Sequence, residues 1–422
     1  MRTLFQLSAM QSQFPTKREW HKSMQVIPRL TEWHSEMTAW RHELHAHPQT
    51  AFEETFASEF IASKLQSWGI ETHRGLAKTG VVGIISGRRV ASPSSPDEKK
   101  LKMIGLRADI DALDIEEQND IPYRSIFRGK MHACGHDGHT AMLLGAARYL
   151  AETRNFTGSV CLIFQPAEEN EGGGRVMVQE GLFDRFPCDA VFGMHNWPGI
   201  PVGQFGVCSG PIMAAFDVFE IIVRGQGTHA AMPHLGVDPI VVSAQIVTAL
   251  QTIASRNVNP LDQVVLSVTQ IHGGDTWNVI PTEVKLRGTV RTFRQPVQDM
   301  VEATMRRIVM GIAASFGGSA ELLYDRRYPA TINTPRETEW AGATAVEIAG
   351  VDHVDTNVAP CMGSEDFAFL LQKSPGCYLW TGNGPSDNGR VLHNPKYDFN
   401  DQVLIIGATY WSRLAERLLS WH

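Results

Sequence analysis

The chain has 422 residues, of which 43% are hydrophobic and 20% charged, and its formal net charge is −7 at pH 7. This is ordinary globular composition, which excludes disorder, collagen and coiled coil as readings of the whole chain, and the length points to two or three domains that each bury a core. Net acidity without a Lys/Arg-rich block does not suggest a nucleic-acid or anionic-membrane partner, and no apolar run reaches the ~18 residues of a membrane helix.

The first thirty residues carry weak periodicity and read as an extension. They hold Lys17, Arg18, Glu19, His21 and Lys22 without a continuous apolar stretch, which does not read as a secretory signal. The six cysteines are sparse, and only Cys134 lies in a motif. A cytoplasmic chain with one special thiolate is therefore expected rather than a disulfide framework.

From Thr31 to His47 the apolar spacing predicts a helix, ended by Pro48. Thr55 to Trp68 predicts a second, stopped by Gly69. Gly80–Ser86 and Leu101–Arg107 have strand character, and residues 91–100 read as a solvated loop. Thr140–Glu152 is predicted helical, and Gly158–Gln165 and Ala190–His195 read as buried strands. This alternation predicts an α/β layer with a largely parallel sheet.

Near Gly210 the pattern changes. Strands at Ala215–Gly225, Gln263–His272, Val279–Phe293 and Ser319–Tyr324 are predicted around helices at Asp238–Val258 and Val297–Phe316. The order β-α-β-β-α-β is that of a ferredoxin-like unit, inserted at 212–328. The α/β pattern then resumes with a helix at Glu337–Ala349, a strand at Gly376–Thr381 and a terminal helix at Val403–Leu419. The expected architecture is thus an extension (1–30), an α/β domain with a mixed sheet (31–211 and 329–422) that holds the clusters described next, and the insert.

Four clusters at strand ends or helix starts carry the chemistry. In His132-Ala133-Cys134-Gly135-His136-Asp137-Gly138-His139, the glycine between Cys134 and His136 lets both side chains turn toward one point in a tight non-helical loop. Thiolate and imidazole suit zinc or another divalent transition metal; incidental histidines at a helix start are the plain alternative. Glu168 and Glu169 follow a strand where α/β sheets place ligands. One can bind metal while the other takes a proton from water; a solvated acidic turn is the alternative. His195 ends another strand, and His393 lies in a loop before the last helix. Either alone reads more readily as packed or capping. Together, Cys134, His136, Glu169, His195 and His393 supply enough ligands for two ions. A zinc deaminase site is excluded, because no Cys-x-x-Cys occurs.

The ordered run MHACGHDGH, FQPAEEN, GMHNWPGIPVG, GTHAAMPHLGVDPI, NVIPTEVKLRGTVRTF, GSEDFAF and LHNPKYDFND, from about Trp40 to Ala415, resembles the M20 metallopeptidase family in its amidohydrolase branch of hippurate, N-acyl-amino-acid and indole-acetyl-amino-acid hydrolases. The resemblance implies that Cys134, His136, Glu169, His195 and His393 are metal ligands and that Glu168 is the general base. It implies a two-metal centre of manganese, zinc, nickel or cobalt, and an insert that serves as lid and dimerisation domain of a homodimer or higher homo-oligomer. The expected reaction is hydrolysis of the amide bond of a small N-acyl-amino acid, with a metal-bridging water activated by Glu168. A peptidase or N-carbamoyl-amino-acid hydrolase on the same scaffold is the alternative within enzymes, and a non-catalytic metal- or ligand-binding protein the alternative outside them.

Four further residues belong to this reading. His229 is an expected donor to the developing oxyanion, against a turn histidine capping the helix region at Asp238. Asn278 and Arg291 flank a lid strand pair, and Arg291 suits a bidentate grip on a substrate carboxylate, against a surface ion pair. Asp111 is placed to orient a ligating histidine, against helix capping. The chain departs from the family pattern at Asp114, where proline is usual, and in its long N-terminal extension.

Overall fold

A computed structural model describes residues 24–88, 101–169 and 171–420. The expected loop 91–100 and residues 1–23 of the expected extension lie outside the described residues. Helices α1 (Pro28–Glu32) and α2 (His34–Ala46) divide the expected single helix at Trp33. Pro28 opens α1, where its missing N–H leaves no bond unmade. The extension's expected end at residue 30 needs correction: Ile27 and Leu30 are buried with Trp33, Met37 and Trp40 in one cluster, so the packed chain starts before Thr31.

The first part of the chain continues with α3 (Thr55–Ser67), β1 (Glu71–Leu76), β2 (Gly80–Ser86), β3 (Met103–Asp109), α4 (His136–Thr153), β4 (Ser159–Gln165), α5 (Gly173–Gln179), α6 (Leu182–Arg185), β5 (Ala190–Pro198), β6 (Phe205–Gly206) and β7 (Gly210–Met213). The middle part holds β8 (Ala215–Arg224), β9 (Thr228–His229), α7 (Pro239–Thr252), β10 (Val264–His272), β11 (Val279–Ile280), β12 (Glu283–Thr292), α8 (Gln295–Ser315) and β13 (Ser319–Tyr328). The chain closes with β14 (Thr331–Asn333), α9 (Pro335–Ala349), β15 (Val354–Asp355), α10 (Ala368–Leu371), β16 (Gly376–Gly384) and α11 (Val403–Leu418).

The protein is a mixed α/β fold. One eight-stranded sheet runs β1-β2-β4-β3-β5-β16-β6-β15. Its centre, β4-β3-β5-β16, is parallel, while β1, β2 and β6 join it by antiparallel pairings. The central strands are buried along nearly their whole length and are mostly apolar, with polar residues toward their carboxyl ends. One face carries the core of α2, α3, α4 and α11, including Leu106, Leu144 and Trp411. The other packs Met177, Leu182 and Leu370 on Ile163, Val191 and Tyr378. Strand β3 has β4 on one side and β5 on the other, so the chain order reverses direction across β3. The crevice at the carboxyl ends of such strands is where open α/β sheets bind ligands.

The middle part builds a separate antiparallel sheet, β10-β12-β8-β13. Val242, Ile246 and Leu250 of α7 and Val301, Met305 and Val309 of α8 close its core against Phe219, Ile221 and Leu286. Asp238 caps α7 by accepting from the amides of Ile240 and Val241. The chain enters and leaves this sheet through β7 and β14, which pair with each other from Gly210↔Asn333 to Met213↔Thr331.

Helix α4 begins at the last residue of the HACGH motif and packs closely on α11. A side-chain carbon at Gly407 would run into the sulfur of Met142, which is fully buried. Gly407→Val should therefore overpack this contact and destabilise by about 1–3 kcal/mol. The expected readout is a lower thermal midpoint; an unchanged midpoint would show that the interface has room to spare.

Candidate metal centre

Six side chains from four segments converge at the carboxyl edge of the central strands. Three overlapping triplets have ligand atoms within 4.8 Å of one another: Cys134, His136 and His195; Cys134, Glu169 and His393; and His136, Glu168 and Glu169. All five sequence-expected ligands and Glu168 are thus brought together. Cys134, His136, His195 and Glu168 are buried, Glu169 is nearly so, and the His393 side chain is about half exposed (53%), at the mouth of the cluster.

Local backbone geometry sets each ligand. Gly135 lies in the left-handed region at φ 92° and ends the loop, so that His136 is the first residue of α4 rather than part of a wholly non-helical loop. A side chain at Gly135 would meet Asn196 and Tyr397. Glu168 and Glu169 follow β4 through Ala167, itself at φ 52°. His393 stands at φ 61°, unusual for a non-glycine residue. Its amide donates to the Ala133 carbonyl at 2.8 Å, which ties the C-terminal loop to the Cys134 loop.

Hydrogen bonds aim the ligating atoms. His136 Nδ1 contacts both the carbonyl and Oδ1 of Asp111, at 2.9 and 3.1 Å, leaving Nε2 toward the cluster. Asp111 Oδ2 accepts from the Glu169 amide at 2.9 Å. One aspartate therefore orients an imidazole and the backbone of a carboxylate ligand, rather than capping a helix. His195 Nδ1 contacts the Asn196 carbonyl at 2.6 Å, and its Nε2 lies 3.4 Å from Cys134 Sγ. Glu169 Oε1 lies 3.2 Å from His393 Nε2 and 4.0 Å from His136 Nε2.

The arrangement fits a bound cation. His136 Nε2 is buried without a hydrogen-bond partner, which is costly unless something else binds it, and among the described residues the only close partner of Glu169 Oε1 is the His393 imidazole. Sulfur, imidazole nitrogen and carboxylate oxygen together suit borderline divalent transition metals.

The charges in the site oppose one another. Burial pushes the Cys134 thiol up, with Glu169 and Glu168 adding to it. Burial would lower His136, but Asp109 and Asp111 raise it to about 10. Burial and the neighbouring His139 hold His195 well below its ordinary range. Burial and then Glu365 raise Glu168; burial would raise Glu169 as well, but the hydrogen bond and charge of His393, with the charge of His136, together lower it. Adjacent carboxylates thus diverge in the way that separates a proton carrier from a ligand.

Several supporting residues escape the sequence reading. His139 is not free to ligate: Nδ1 contacts Asp109 at 2.6 Å, and Nε2 accepts from the Asn196 amide at 3.0 Å. Beneath Glu168, buried Arg107 binds Asp109, Glu365 and Asp366 at 2.6, 2.9 and 3.0 Å. Asp366 in turn offers its amide to Glu168 Oε1 at 3.3 Å. The only sequence signals were the RADID and GSEDFAF segments. Behind His136, the helix turn is braced by His45, whose Nδ1 and Nε2 reach Asp137 and Glu117 at 2.8 and 3.2 Å.

The substrate-side expectations fare differently. His229 and Asn278 lie side by side, because β9 pairs with β11 and the Ala230 amide donates to the Asn278 carbonyl at 2.9 Å. His229 is exposed, and its Nδ1 accepts from Ala231 in its own turn. Arg291 stacks over Phe216 at 4.0 Å and donates to the Val290 carbonyl; among the described residues it has no ion pair, contrary to the surface alternative. None of the three makes a hydrogen bond or ion pair with the cluster among the described residues. Asp114 accepts from the Thr50 hydroxyl at 3.4 Å and displaces no ligand.

The model for peptidase family M20/M25/M40 matches residues 105–417. The hippurate hydrolase of Campylobacter jejuni is 36% identical over 396 residues, which span 94% of this chain and 100% of that protein. The N-acetylcysteine deacetylase of Bacillus subtilis is 38% identical over 384 residues, 90% of this chain and 96% of that protein. A solved dinuclear metal binding peptidase of the M20 family from Bacillus subtilis superposes with a TM-score of 0.78 at 34% identity, covering 92% of this chain and 99% of that one.

Two predictions follow from this geometry. Cys134→Ala should lower the metal bound per chain by elemental analysis; full occupancy would remove Cys134 from the ligand set. The second concerns His45. Burial alone would lower it, but the hydrogen bond and charge of Asp137, followed by Glu117, raise it to about 9. Since the folded value exceeds the unfolded ~6.5, its contribution is complete below about pH 6.5 and is lost as pH rises through about 9. The thermal midpoint should fall over that interval, and fall less in His45→Gln; parallel profiles would exclude this role.

Proposed function

This chain belongs to peptidase family M20/M25/M40 as a metallo-amidohydrolase, and from that premise we propose that it hydrolyses the amide bond of N-acyl-amino acids, of the N-benzoyl- or N-acetyl-amino-acid kind. What supports the reading is the meeting of a thiolate, three imidazoles and one carboxylate beside a second carboxyl group that remains free for proton transfer. Cys134, His136, Glu169, His195 and His393 would hold two divalent ions, drawn from manganese, zinc, nickel or cobalt. When bound, such a pair supplies an acidified water and a Lewis acid for the acyl oxygen.

The remaining chemistry falls to the chain's own residues. Glu168 takes one proton from the attacking water as the new C–O bond forms, then delivers it to the nitrogen as the C–N bond breaks. Burial raises its proton affinity, which favours the abstraction step. Asp111 keeps His136 Nδ1 engaged, so that Nε2 stays presented to the site.

We assign residues 212–328, the expected ferredoxin-like unit, the role of lid. On closing, its paired His229 and Asn278 would face the acyl oxygen, where a donor aimed at developing charge is worth about 3 kcal/mol. Arg291 would take the substrate carboxylate, since its guanidinium has most of its donors unspent. The paired strands β7 and β14 are the natural hinge. Trp277, Leu261 and Ile271 expose large apolar surface on this same unit, which supports self-association there. All six cysteines are free, in keeping with a reducing, cytoplasmic setting. Among the described residues no helix is long and apolar enough to cross a membrane.

The reading is tested by stripping the protein with chelator, reloading it separately with Mn, Zn, Co and Ni, and assaying N-benzoylglycine and N-acetyl-amino acids. At least one metal should restore turnover. Glu168→Gln should keep the metal and lower kcat by at least about 10²-fold. A variant with near-wild-type kcat would remove Glu168 as the base, and silence with every metal would favour a non-catalytic binding protein.

A further inference from the structure

The loop that carries Glu168 and Glu169 is clamped from outside the metal cluster. The Tyr328 hydroxyl donates to the Glu168 carbonyl at 2.5 Å and accepts from the Gly172 amide at 2.9 Å. A single oxygen thereby bridges both ends of the 168–172 segment. Tyr328 is buried, and its ring lies edge-on to Phe216 and Phe369, each with centroids 6.0 Å away.

The position of this tyrosine in the chain gives the contact its meaning. Tyr328 is the last residue of β13 and sits opposite Phe216 of β8, so it belongs to the inserted four-stranded sheet. Three residues later the chain enters β14 and rejoins the α/β layer. Phe369 and Glu168 belong to that layer. Tyr328 is therefore shared: its backbone moves with the inserted sheet, and its hydroxyl holds the backbone of the base.

The carboxylate end of Glu168 is held separately. The Asp366 amide reaches Glu168 Oε1, and the Asp366 side chain is fixed by Arg107, Gln165 and the Gly174 amide. Everything that fixes Asp366 comes from the α/β layer. Of the two ties on Glu168, only the one through Tyr328 can respond to movement of the insert.

We propose that Tyr328 is a positioning residue that makes the placement of Glu168 depend on the placement of the inserted sheet. This rests on Glu168 being the proton carrier, as assigned above. Displacement of the insert pulls on the Glu168 carbonyl, and its return sets the carboxyl group in line with the attacking water. Misplacement of about 1 Å at such a group costs up to about 10²-fold in rate without loss of binding.

The test is Tyr328→Phe in the full-length, metal-loaded protein, which removes one oxygen and keeps the ring between Phe216 and Phe369. Metal per chain should be unchanged, kcat should fall about tenfold, and KM should stay within about twofold. Amide exchange at Gly172, followed in a peptide covering residues 166–174, should accelerate about tenfold or more, since its acceptor is gone. Wild-type exchange at Gly172 would show that no clamp exists. Faster exchange with unchanged kcat, or a raised KM alone, would show a clamp that does not position the base. Loss of metal with loss of turnover would make Tyr328 a support for Glu169 instead. If the wild-type protein hydrolysed no N-acyl-amino acid with any metal, the base assignment and the positioning role would both fall, and the exchange measurement would then report on the hydroxyl bridge alone.

Discussion

The structure is organised around an unfavourable convergence. His136 Nε2 is buried with no hydrogen-bond partner, among ligand atoms of Cys134, His195 and Glu169 that lie within 4.8 Å of it. Leaving such a buried polar atom unpaired costs about 1–3 kcal/mol, and among the described residues no donor or acceptor relieves it. A cation would relieve it. The surroundings oppose relaxation of this arrangement. Asp111 spends its carbonyl and both carboxylate oxygens on His136 and Glu169, Asn196 bridges His139 and the Cys134 carbonyl, and His393 is held in a left-handed backbone conformation.

That convergence was legible from the set rather than from its members. Runs such as SVCLIFQ and AVFGMH announce buried strands that end near Glu168, Glu169 and His195, yet each residue alone reads as a turn or a cap; only the clusters together, in order, point to a metal centre. Strand β2 and helix α3 were readable from strong periodicity bounded by glycine. Strand β1 was not. Its ETHRGL is polar and lies at the sheet edge, where no burial pattern marks it. The start of α4 at His136 was also missed, because the glycine that begins the helix looks locally like the glycine of a loop.

The supporting residues were obscured for a different reason. Arg107 binds Glu365 and Asp366 more than 250 positions away, a pairing that leaves no trace in local spacing. His45 is one histidine inside a helix marked by the apolar spacing of other residues, and nothing local to it names Asp137, 92 positions on, as its partner. Such residues complete charges that the ligand motifs leave open. They are found by asking what neutralises each buried carboxylate, a question that only coordinates answer.

A metal cage and a substrate grip place opposite demands on a fold. The cage tolerates displacements of only about half an ångström, so its ligands belong on rigid strand ends and a helix start. The grip must let substrate in and then surround it. The groups assigned to substrate, His229, Asn278 and Arg291, accordingly stand on the inserted part, Arg291 on its four-stranded sheet and the other two at the β9–β11 pair, joined to the rest by two paired strands. Glu168 belongs to both demands: it must stay beside the cage and yet meet a substrate presented by the insert. Its backbone bond to Tyr328 and its side-chain bond from the Asp366 amide divide that task between the two parts of the molecule.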